Sequence, residues 1–443
     1  MSNDSQAIVQ KAMQKDAVRR YETVDRLRDD VSRFLDGAPV TAHGDGAGYR
    51  LKKFAVKHWL ALSTALATML LLASLSIVSI ASSRKAQRQS ARIMELLSTV
   101  LSDVSMDRQR RTSLRVLRLV QDTRLNYLNA LDREYPNDLN ISKLRFQAWR
   151  GLGTVQGLPS TLNLGDTAGA LADFQRSIDV GEYTLNRWGE ASGLRPVLAI
   201  VYIELGSVLL EMDKPDEARL KFNRAQSLTE SDSGQIGLRA NLEALAQRSR
   251  ILNLTGKQSE ALALRRQIVE QRRELFQKDP ATMQWEYPGA LCSYGELLRE
   301  MGRFDEAERA YADALPMIER LTQADHFSLD FLWHLGRENE EYAKVLLALG
   351  RQGPAKEHLT RAIDMYREVN RNDPDAISNQ RSLAVCLSLL GKVLADQGEG
   401  GRGRLLLEEA LTLSTQAAMQ DRASSRAQRE LAAVREDLKK ATP

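Results

Sequence analysis

The 443-residue sequence predicts an all-α protein, a right-handed α-solenoid of stacked helix pairs that carries a single transmembrane helix towards its N-terminus. A spacing of small and aromatic residues recurs down the C-terminal three quarters of the chain and is typical of repeated helix pairs. One segment, residues 58–83, contains no Asp, Glu, Lys or Arg. The composition is 43% hydrophobic but only 6% aromatic, which indicates helices rich in Leu and Ala rather than a β-sheet.

Residues 1–36 predict two short helices, over 5–13 and 18–35. The second helix carries an apolar stripe of the kind that is usually buried, formed by Val24, Leu27, Val31 and Leu35. Because so short a segment rarely holds a core together, we expect it to rest on something outside itself. Residues 37–57 predict a flexible juxtamembrane linker, since residues 37–48 contain four glycines and a proline.

Residues 58–83 predict a transmembrane helix that lies in the lipid bilayer. As an α-helix these 26 residues would reach about 39 Å, which exceeds the hydrocarbon core of about 30 Å. The segment follows a long polar stretch, whereas a signal peptide would lie at the extreme N-terminus. The alternative is a buried core helix of a globular domain.

Charge does not orient this span, because four basic residues flank it on each side. Those residues are Arg50, Lys52, Lys53 and Lys57 before the span and Arg84, Lys85, Arg88 and Arg92 after it. Ala61 with Ala65, and Ser63 with Ala67, form pairs of small residues four apart, a pattern that allows two such helices to approach. The pattern therefore leaves a homodimer open.

Residues 84–135 predict helices that connect the span to the repeats. Within them an apolar seam runs for less than two heptads, through Ile93, Leu97, Val100 and Val104. A seam this short does not establish a coiled coil, so we expect the helix to pack on the first repeat or to cap the array.

Residues 136–422 predict about six helix pairs. The pattern is clearest as Tyr202, Leu205, Gly206 and Leu209 followed by Ala218, Phe222 and Ala225, and as Leu291, Tyr294, Gly295 and Leu298 followed by Ala307, Tyr311 and Ala314. The small residues let two helices touch, and the ring between them fills the groove. A bulky residue at Gly295 or Ala307 should therefore wedge one pair apart. Residues 423–443 predict a C-terminal capping helix with a polar outer face.

Two repeats depart from this pattern. The first has an insertion between its helices, over residues 158–165, and the third has Arg265 where a ring would normally pack. The repeats are spaced 43 to 53 residues apart, which predicts lengthened second helices and longer links. Cys292 and Cys386 lie two repeats apart, too far for a disulfide, and are expected to be buried thiols.

Three segments resemble parts of a known family. Residues 8–40, IVQKAMQKDAVRRYETVDRLRDDVSRFLDGAPV, and residues 48–59, GYRLKKFAVKHW, resemble the last kinase-lobe helices and juxtamembrane link of bacterial serine/threonine protein kinases. Residues 153–178, GTVQGLPSTLNLGDTAGALADFQRSI, resemble the first tetratricopeptide (TPR) repeat that such kinases carry beyond the membrane. In that family an Arg before an aromatic residue, matched by Arg20 before Tyr21, pairs with a glutamate near the activation segment, which has no counterpart here.

The resemblance implies the C-terminal part of a membrane-anchored kinase-type receptor. It implies a single-pass protein of the bacterial inner membrane, with a cytoplasmic N-terminus and periplasmic repeats. The chain lacks the Gly-rich loop, the β3-type lysine and the HRD and DFG motifs that phosphoryl transfer requires, so we predict no enzyme activity and no catalytic residue in it. The alternative is the C-terminal portion of an active kinase whose catalytic lobe is missing from this chain.

A stack of helix pairs predicts a concave wall, lined by the first helices, that binds a protein or peptide. The inward positions of the late repeats are Glu296, Arg299, Arg337, Glu340, Lys344 and Lys392. The alternative is that these are solvated charges, and we expect carboxylate pairs such as Glu340 and Glu341 on exposed helix faces.

The aromatic residues, the histidines and the net charge also bear on whether the array has a binding site. Trp285, Tyr287 and Trp333 could anchor a partner or belong to the core, which is the commoner place for rings at repeat joints. The five histidines lack metal-ligand spacing, so we predict no metal site and no cofactor. A net charge of +4 spread over mixed signs gives no case for nucleic acid as a partner.

Overall fold

The computed structural model describes residues 3–43, 46–57, 113–230, 234–281, 283–324 and 329–441. Throughout these ranges the protein is helical, with no β-strand. The chain divides into two compact units, Met1–Ser98 and Thr99–Pro443.

The N-terminal unit contains helices α1 (Asn3–Ala12), α2 (Val24–Leu35) and α3 (Ala47–Lys57). One buried carboxylate, Asp30, holds the link between α2 and α3. It accepts hydrogen bonds from the Tyr21 hydroxyl at 2.9 Å and from the backbone amide of Thr41 at 2.7 Å. These hydrogen bonds therefore hold the segment after α2 in place. Residues 47–57 of the predicted flexible linker are helical, since they form α3.

The predicted apolar stripe on α2 is not buried within this unit. Val24 is 83% exposed and Leu35 is 77% exposed, whereas Asp30 on the same helix is 1% exposed. The physical reason is that this short segment is organised around hydrogen bonds to a carboxylate, and the apolar side chains that it buries, Ile8 and Val40, do not belong to α2.

The predicted transmembrane helix at 58–83 and the apolar seam at 93–104 both lie outside the described residues. Among the helices that the structure does describe, none combines the length and the apolar character needed to cross a bilayer.

The C-terminal unit starts with α4 (Leu114–Glu134), which packs on the first of six helix pairs. The first helices of the pairs are α5 (Leu139–Gly157), α7 (Arg195–Glu211), α9 (Gln235–Leu254), α11 (Glu286–Glu300), α13 (Leu329–Ala348) and α15 (Ile377–Asp396). The second helices are α6 (Thr167–Trp188), α8 (Pro215–Thr229), α10 (Gln258–Lys278), α12 (Phe304–Ala324), α14 (Gln352–Asn372) and α16 (Gly400–Gln420). Helix α17 (Ser425–Lys440) follows the last pair.

The small residues lie where the two helices of a pair cross, as predicted. A Cβ atom added to Gly295 on α11 would lie 2.7 Å from the ring of Tyr311 on α12, and one added to Gly206 on α7 would overlap the ring of Phe222 on α8. At Gly391 on α15 the neighbour is the backbone of α16 itself. Because these contacts leave no room for a side chain, they set the distance between the paired helices.

The ends of the array contact each other, which the sequence did not predict. The insertion between α5 and α6 reaches the start of α15, where the amide of Asn163 donates to the hydroxyl of Ser378 at 2.9 Å. The hydroxyl of Thr167 donates to the carboxylate of Asp421, between α16 and α17, at 2.6 Å.

Apolar packing reinforces this closure. Leu162 and Leu164 of the insertion are buried in the same core as Leu383 and Val434 of the last helices. Gly165 lies so close to Ile377 that a Cβ atom there would be 2.6 Å from that side chain. The repeats therefore form a closed ring, and their concave wall becomes the inner wall of that ring.

The two cysteines are buried free thiols, as predicted. Cys292 on α11 lies against Glu338 on α13, and burial, with that carboxylate, raises the pKa of its thiol.

Candidate functional site

The inner wall encloses a cavity of about 190 Å³, which we call the central cavity. It lies among α9, α10, α11 and α13, and Pro159 of the insertion forms part of its wall. Its charged lining consists of five arginines and three glutamates: Arg250, Arg265, Arg272, Arg337 and Arg426, with Glu243, Glu296 and Glu300.

Three of the five arginines are paired with carboxylates. Arg272 lies 3.2 Å from Glu243, and Arg337 lies 3.1 Å from Glu338. Arg426, on the last helix, lies 2.9 Å from Glu430. Burial alone would raise the pKa of Glu243, but Arg272 and a hydrogen bond from Gln247 hold it below its usual range. These pairs keep charge inside the ring without leaving it uncompensated.

Arg265 is the exception among the buried arginines. Its side chain comes from the second helix of its pair and is 9% exposed. It donates one hydrogen bond to the carbonyl of Ala246 at 3.0 Å, and its buried Nε has no partner among the described residues. Burial lowers the pKa of its guanidinium, against the opposing effect of Glu243.

Three glutamates within about one turn of α13, namely Glu338, Glu340 and Glu341, are buried, contrary to the expectation of exposed carboxylates. Glu340 is 4% exposed and Glu341 is 7% exposed. Lys344 lies 2.6 Å from Glu340 and 2.7 Å from Glu341, and Arg299 on α11 lies 3.1 Å from Glu341. The hydroxyl of Tyr366 donates to Glu340 at 3.0 Å. The expectation failed because Lys344 on the same helix pairs with both Glu340 and Glu341. Each carboxylate also has a partner on another helix, Tyr366 for Glu340 and Arg299 for Glu341.

These contacts shift the acidity of Glu341 strongly. Burial would raise the pKa of Glu341, but Lys344 and Arg299 lower it to about 2. The same balance occurs at Glu430, where Arg381 and Arg426 outweigh burial and lower the pKa to about 2.

The structure brings together five of the six inward residues that the sequence predicted. Glu296 and Arg337 line the central cavity, and Glu340 lines a smaller cavity beside it. Arg299 and Lys344 line an adjoining opening together with Glu296. Lys392 lies apart from this group, half exposed and 3.1 Å from Asp437 on α17.

Sequence reasoning missed the contributions of the third repeat and of the last helix. Arg250, Arg272 and Arg426 carry no pattern that distinguishes them from surface charges on an amphipathic helix. The sequence did show that Arg265 replaces the ring that normally packs at its position. It did not show the cavity, because α11 of the next repeat forms part of the cavity wall. Arg381 was missed as well, and it joins the ends of the ring by pairing at 2.8 Å with Glu211 on α7 and with Glu430 on α17.

The large aromatic residues belong to the cores between helices. Trp333 is 3% exposed, and the ring of Trp285 packs on that of Phe331 at 4.7 Å. Tyr287 stacks on Phe276 at 5.4 Å. In the described part of the chain no group of three His, Cys, Asp or Glu side chains could hold a metal ion.

Comparison with known proteins identifies the repeat. A family model described as tetratricopeptide repeat matches residues 290–328, so the helix pair formed by α11 and α12 is a TPR unit. No curated protein matches the chain. The array is an all-helical, TPR-like solenoid.

Three solved structures are similar to this chain at low identity. BtubC from P. vanneervenii is 16% identical over 52% of this chain and 88% of that chain, with a TM-score of 0.35. Yeast Tom70 is 16% identical over 72% of this chain and 60% of that chain, with a TM-score of 0.39. A Rap protein solved with competence and sporulation factor is 12% identical over 78% of this chain and 99% of that chain, with a TM-score of 0.38.

Proposed function

We propose that this protein is a non-catalytic TPR-repeat binding protein, and that its inner wall holds a segment of a protein or peptide. The observation that carries the proposal is the separation of roles along the first helices. Their apolar and aromatic residues fill the cores between helices, while charged residues from α9, α11 and α13 gather around the central cavity. Polar groups that converge in a concave site are what a specific binding pocket needs.

A selection of peptides tests this proposal. The purified full chain in detergent is screened against a library of random octapeptides, and selected peptides are measured by fluorescence anisotropy. Arg337→Gln should weaken their binding at least tenfold, because it removes a charge from the inner wall. Arg367→Gln is the matched control, since Arg367 lies on α14 and pairs with Glu409 on α16 outside the central cavity. Equal binding by wild type and Arg337→Gln, or a library that yields no binder, would contradict the proposal.

We further propose that residues 58–83 anchor the protein in a bacterial inner membrane, with the N-terminus in the cytoplasm and the repeats in the periplasm. The uncharged segment and the kinase-like segments that flank it support this arrangement. The repeats would then serve as the sensor or scaffold part of a kinase-type receptor, and the span would allow a homodimer.

Alkaline phosphatase, which is active only when exported, tests this topology as a C-terminal fusion. We expect phosphatase activity in a membrane fraction. If only a fusion to green fluorescent protein, which fluoresces in the cytosol, were active, the periplasmic location of the repeats would be excluded.

Reading the DNA upstream of Met1 distinguishes a kinase remnant from the C-terminal portion of an active kinase. An in-frame continuation that encodes HRD and DFG motifs would favour the active kinase.

A further inference from the structure

Arg265 occupies a position that belongs to the core in the other repeats. The equivalent residue between two small residues of the second helix is apolar in each of the other pairs: Phe174, Phe222, Tyr311, Leu359 and Leu407. Each of these side chains is at most 2% exposed. A guanidinium at such a position is removed from water, and that costs stability unless a carboxylate compensates it.

No such carboxylate lies against Arg265. Among the described residues none is within ion-pair distance of its guanidinium, and Ala246 supplies its one hydrogen bond. The small residue that faces this helix in the pair, Ser249, is fully buried and its hydroxyl has no partner there. Residues that break a packing rule at a cost in stability are most often found where a protein binds something.

A second arginine without a described ion pair lines the same cavity. Arg250, on α9, is exposed at the wall of the central cavity. The acidic groups that face these two arginines are Glu243, Glu296 and Glu300. Glu243 is paired with Arg272, and Glu300 accepts a hydrogen bond from Asn253 at 2.7 Å. Burial and the nearby Glu296 raise the pKa of Glu300, and Arg250 opposes that shift.

We propose that Arg265 and Arg250 form a binding site for a carboxylate group of a ligand that enters the central cavity. This inference rests on the proposed binding function and names the ligand chemistry. A guanidinium presents a planar fork of N–H donors that fits a carboxylate, and both arginines have donors to spare. Glu296 in the same cavity repels a compact, doubly charged phosphate group more strongly than a carboxylate group, which carries one charge. The carboxylate is either an acidic side chain of a peptide or part of a small free acid.

Isothermal titration calorimetry of the full chain in detergent tests the site with three probes. The probes are a capped glutamate-glycine hexapeptide, succinate and inorganic phosphate. Saturable binding of the peptide alone would identify a side chain as the source, and binding of succinate would identify a free acid. In either case the affinity should fall at least tenfold in Arg265→Met and in Arg250→Gln. Arg266→Met is the matched control, since Arg266 is the next residue on the same helix but pairs with Tyr294 and Glu306 away from the cavity.

Thermal unfolding of the same variants separates binding from folding. Arg265→Met replaces a buried charge with an apolar side chain of similar volume, so its Tm should rise while binding is lost. If the Tm of Arg265→Met falls instead, binding by Arg250→Gln tests the site, because Arg250 is exposed and its replacement leaves the core intact. A loss of binding in Arg250→Gln would then support the inference, and unchanged binding would contradict it.

Three results would overturn the inference. They are unchanged binding in Arg265→Met, an equal loss in Arg266→Met, and tighter binding of phosphate than of either carboxylate. If peptides selected from the library bind but neither the glutamate peptide nor succinate does, the proposed function stands and this site is excluded. Succinate binding without any peptide binding would support this site and contradict the proposed peptide-binding function.

Discussion

At the scale of single residues, buried charges determine how firmly the inner wall is held. Lys344 is the centre of one such group, since its ammonium is shared by Glu340 and Glu341. The two carboxylates are nearly inaccessible to water, so they depend on this one cation and on Arg299. The cost of such an arrangement appears when one member is removed, because the others then remain buried and uncompensated.

Lys344→Met should therefore destabilise the fold. We expect a loss of about 3 kcal/mol in the free energy of unfolding, the lower end for a broken buried pair, because 22% of the lysine side chain stays exposed. Urea unfolding followed by circular dichroism measures the change. Lys440→Met is the matched control, since it breaks an exposed pair with Glu436, and a loss of similar size in the control would contradict this account.

Acid should weaken the fold through the same residues. In the folded state the pKa values of Glu341 and Glu430 are about 2, below the ordinary value of 4.5. A lowered pKa contributes stability that is fully present above the ordinary value and is lost as the pH falls towards 2. We expect the Tm to be constant above about pH 5 and to fall steadily between pH 5 and pH 2. Glu341→Gln should flatten that fall, and an unchanged slope would show that Glu341 does not carry it.

At the scale of helices, the crossings within each pair set the geometry of the array. Gly295→Leu should drive a side chain into the ring of Tyr311, and such overpacking typically costs about 1 to 3 kcal/mol. Gly353→Leu is the matched control on α14, where nothing lies within 4 Å of the added Cβ. Thermal unfolding should show a lower Tm for Gly295→Leu alone. Equal Tm values would mean that the two helices do not touch there.

The helix pairs could be predicted from the sequence because their signal is local. Gly295 and Tyr311 are 16 residues apart, and their spacing repeats along the chain, so one hairpin contains the whole pattern. The burial of Glu340 could not be predicted in the same way. Its partner Lys344 lies one turn away, but Tyr366 belongs to another helix and Arg299, which holds the adjacent Glu341, to another repeat.

The candidate site was predicted only in its late repeats for the same reason. Glu296 and Arg337 lie at regular inward positions of clear repeats, and the structure places both at the central cavity. Arg265 lies in a repeat whose pattern is degenerate, and Arg426 lies beyond the last repeat. Their approach to one cavity depends on the curvature of the whole ring, which no local spacing records.

At the scale of the C-terminal unit, closure limits what can reach the inner wall. Contacts between the early and late repeats, such as Asn163 with Ser378 and Glu211 with Arg381, narrow the access to the inner wall. The insertion between α5 and α6 supplies apolar contacts to this closure, beside the ion pair of Arg381 with Glu211. Leu162 is 4% exposed and Leu164 is 8% exposed, and both lie in a core shared with α15 and α17.

The double variant Leu162→Asp, Leu164→Asp should therefore open the ring. Two charges in that shared core cannot stay buried without partners, so the first and last helices should separate while each helix pair keeps its own core. Small-angle X-ray scattering should show a larger radius of gyration, and hydrogen exchange should speed up at the amide of Asn163, which donates to Ser378 in the closed form. The control is Leu220→Asp, Leu405→Asp, whose leucines are 65% and 66% exposed. An unchanged radius in the insertion variant, or the same increase in the control, would show that the insertion does not hold the ends together.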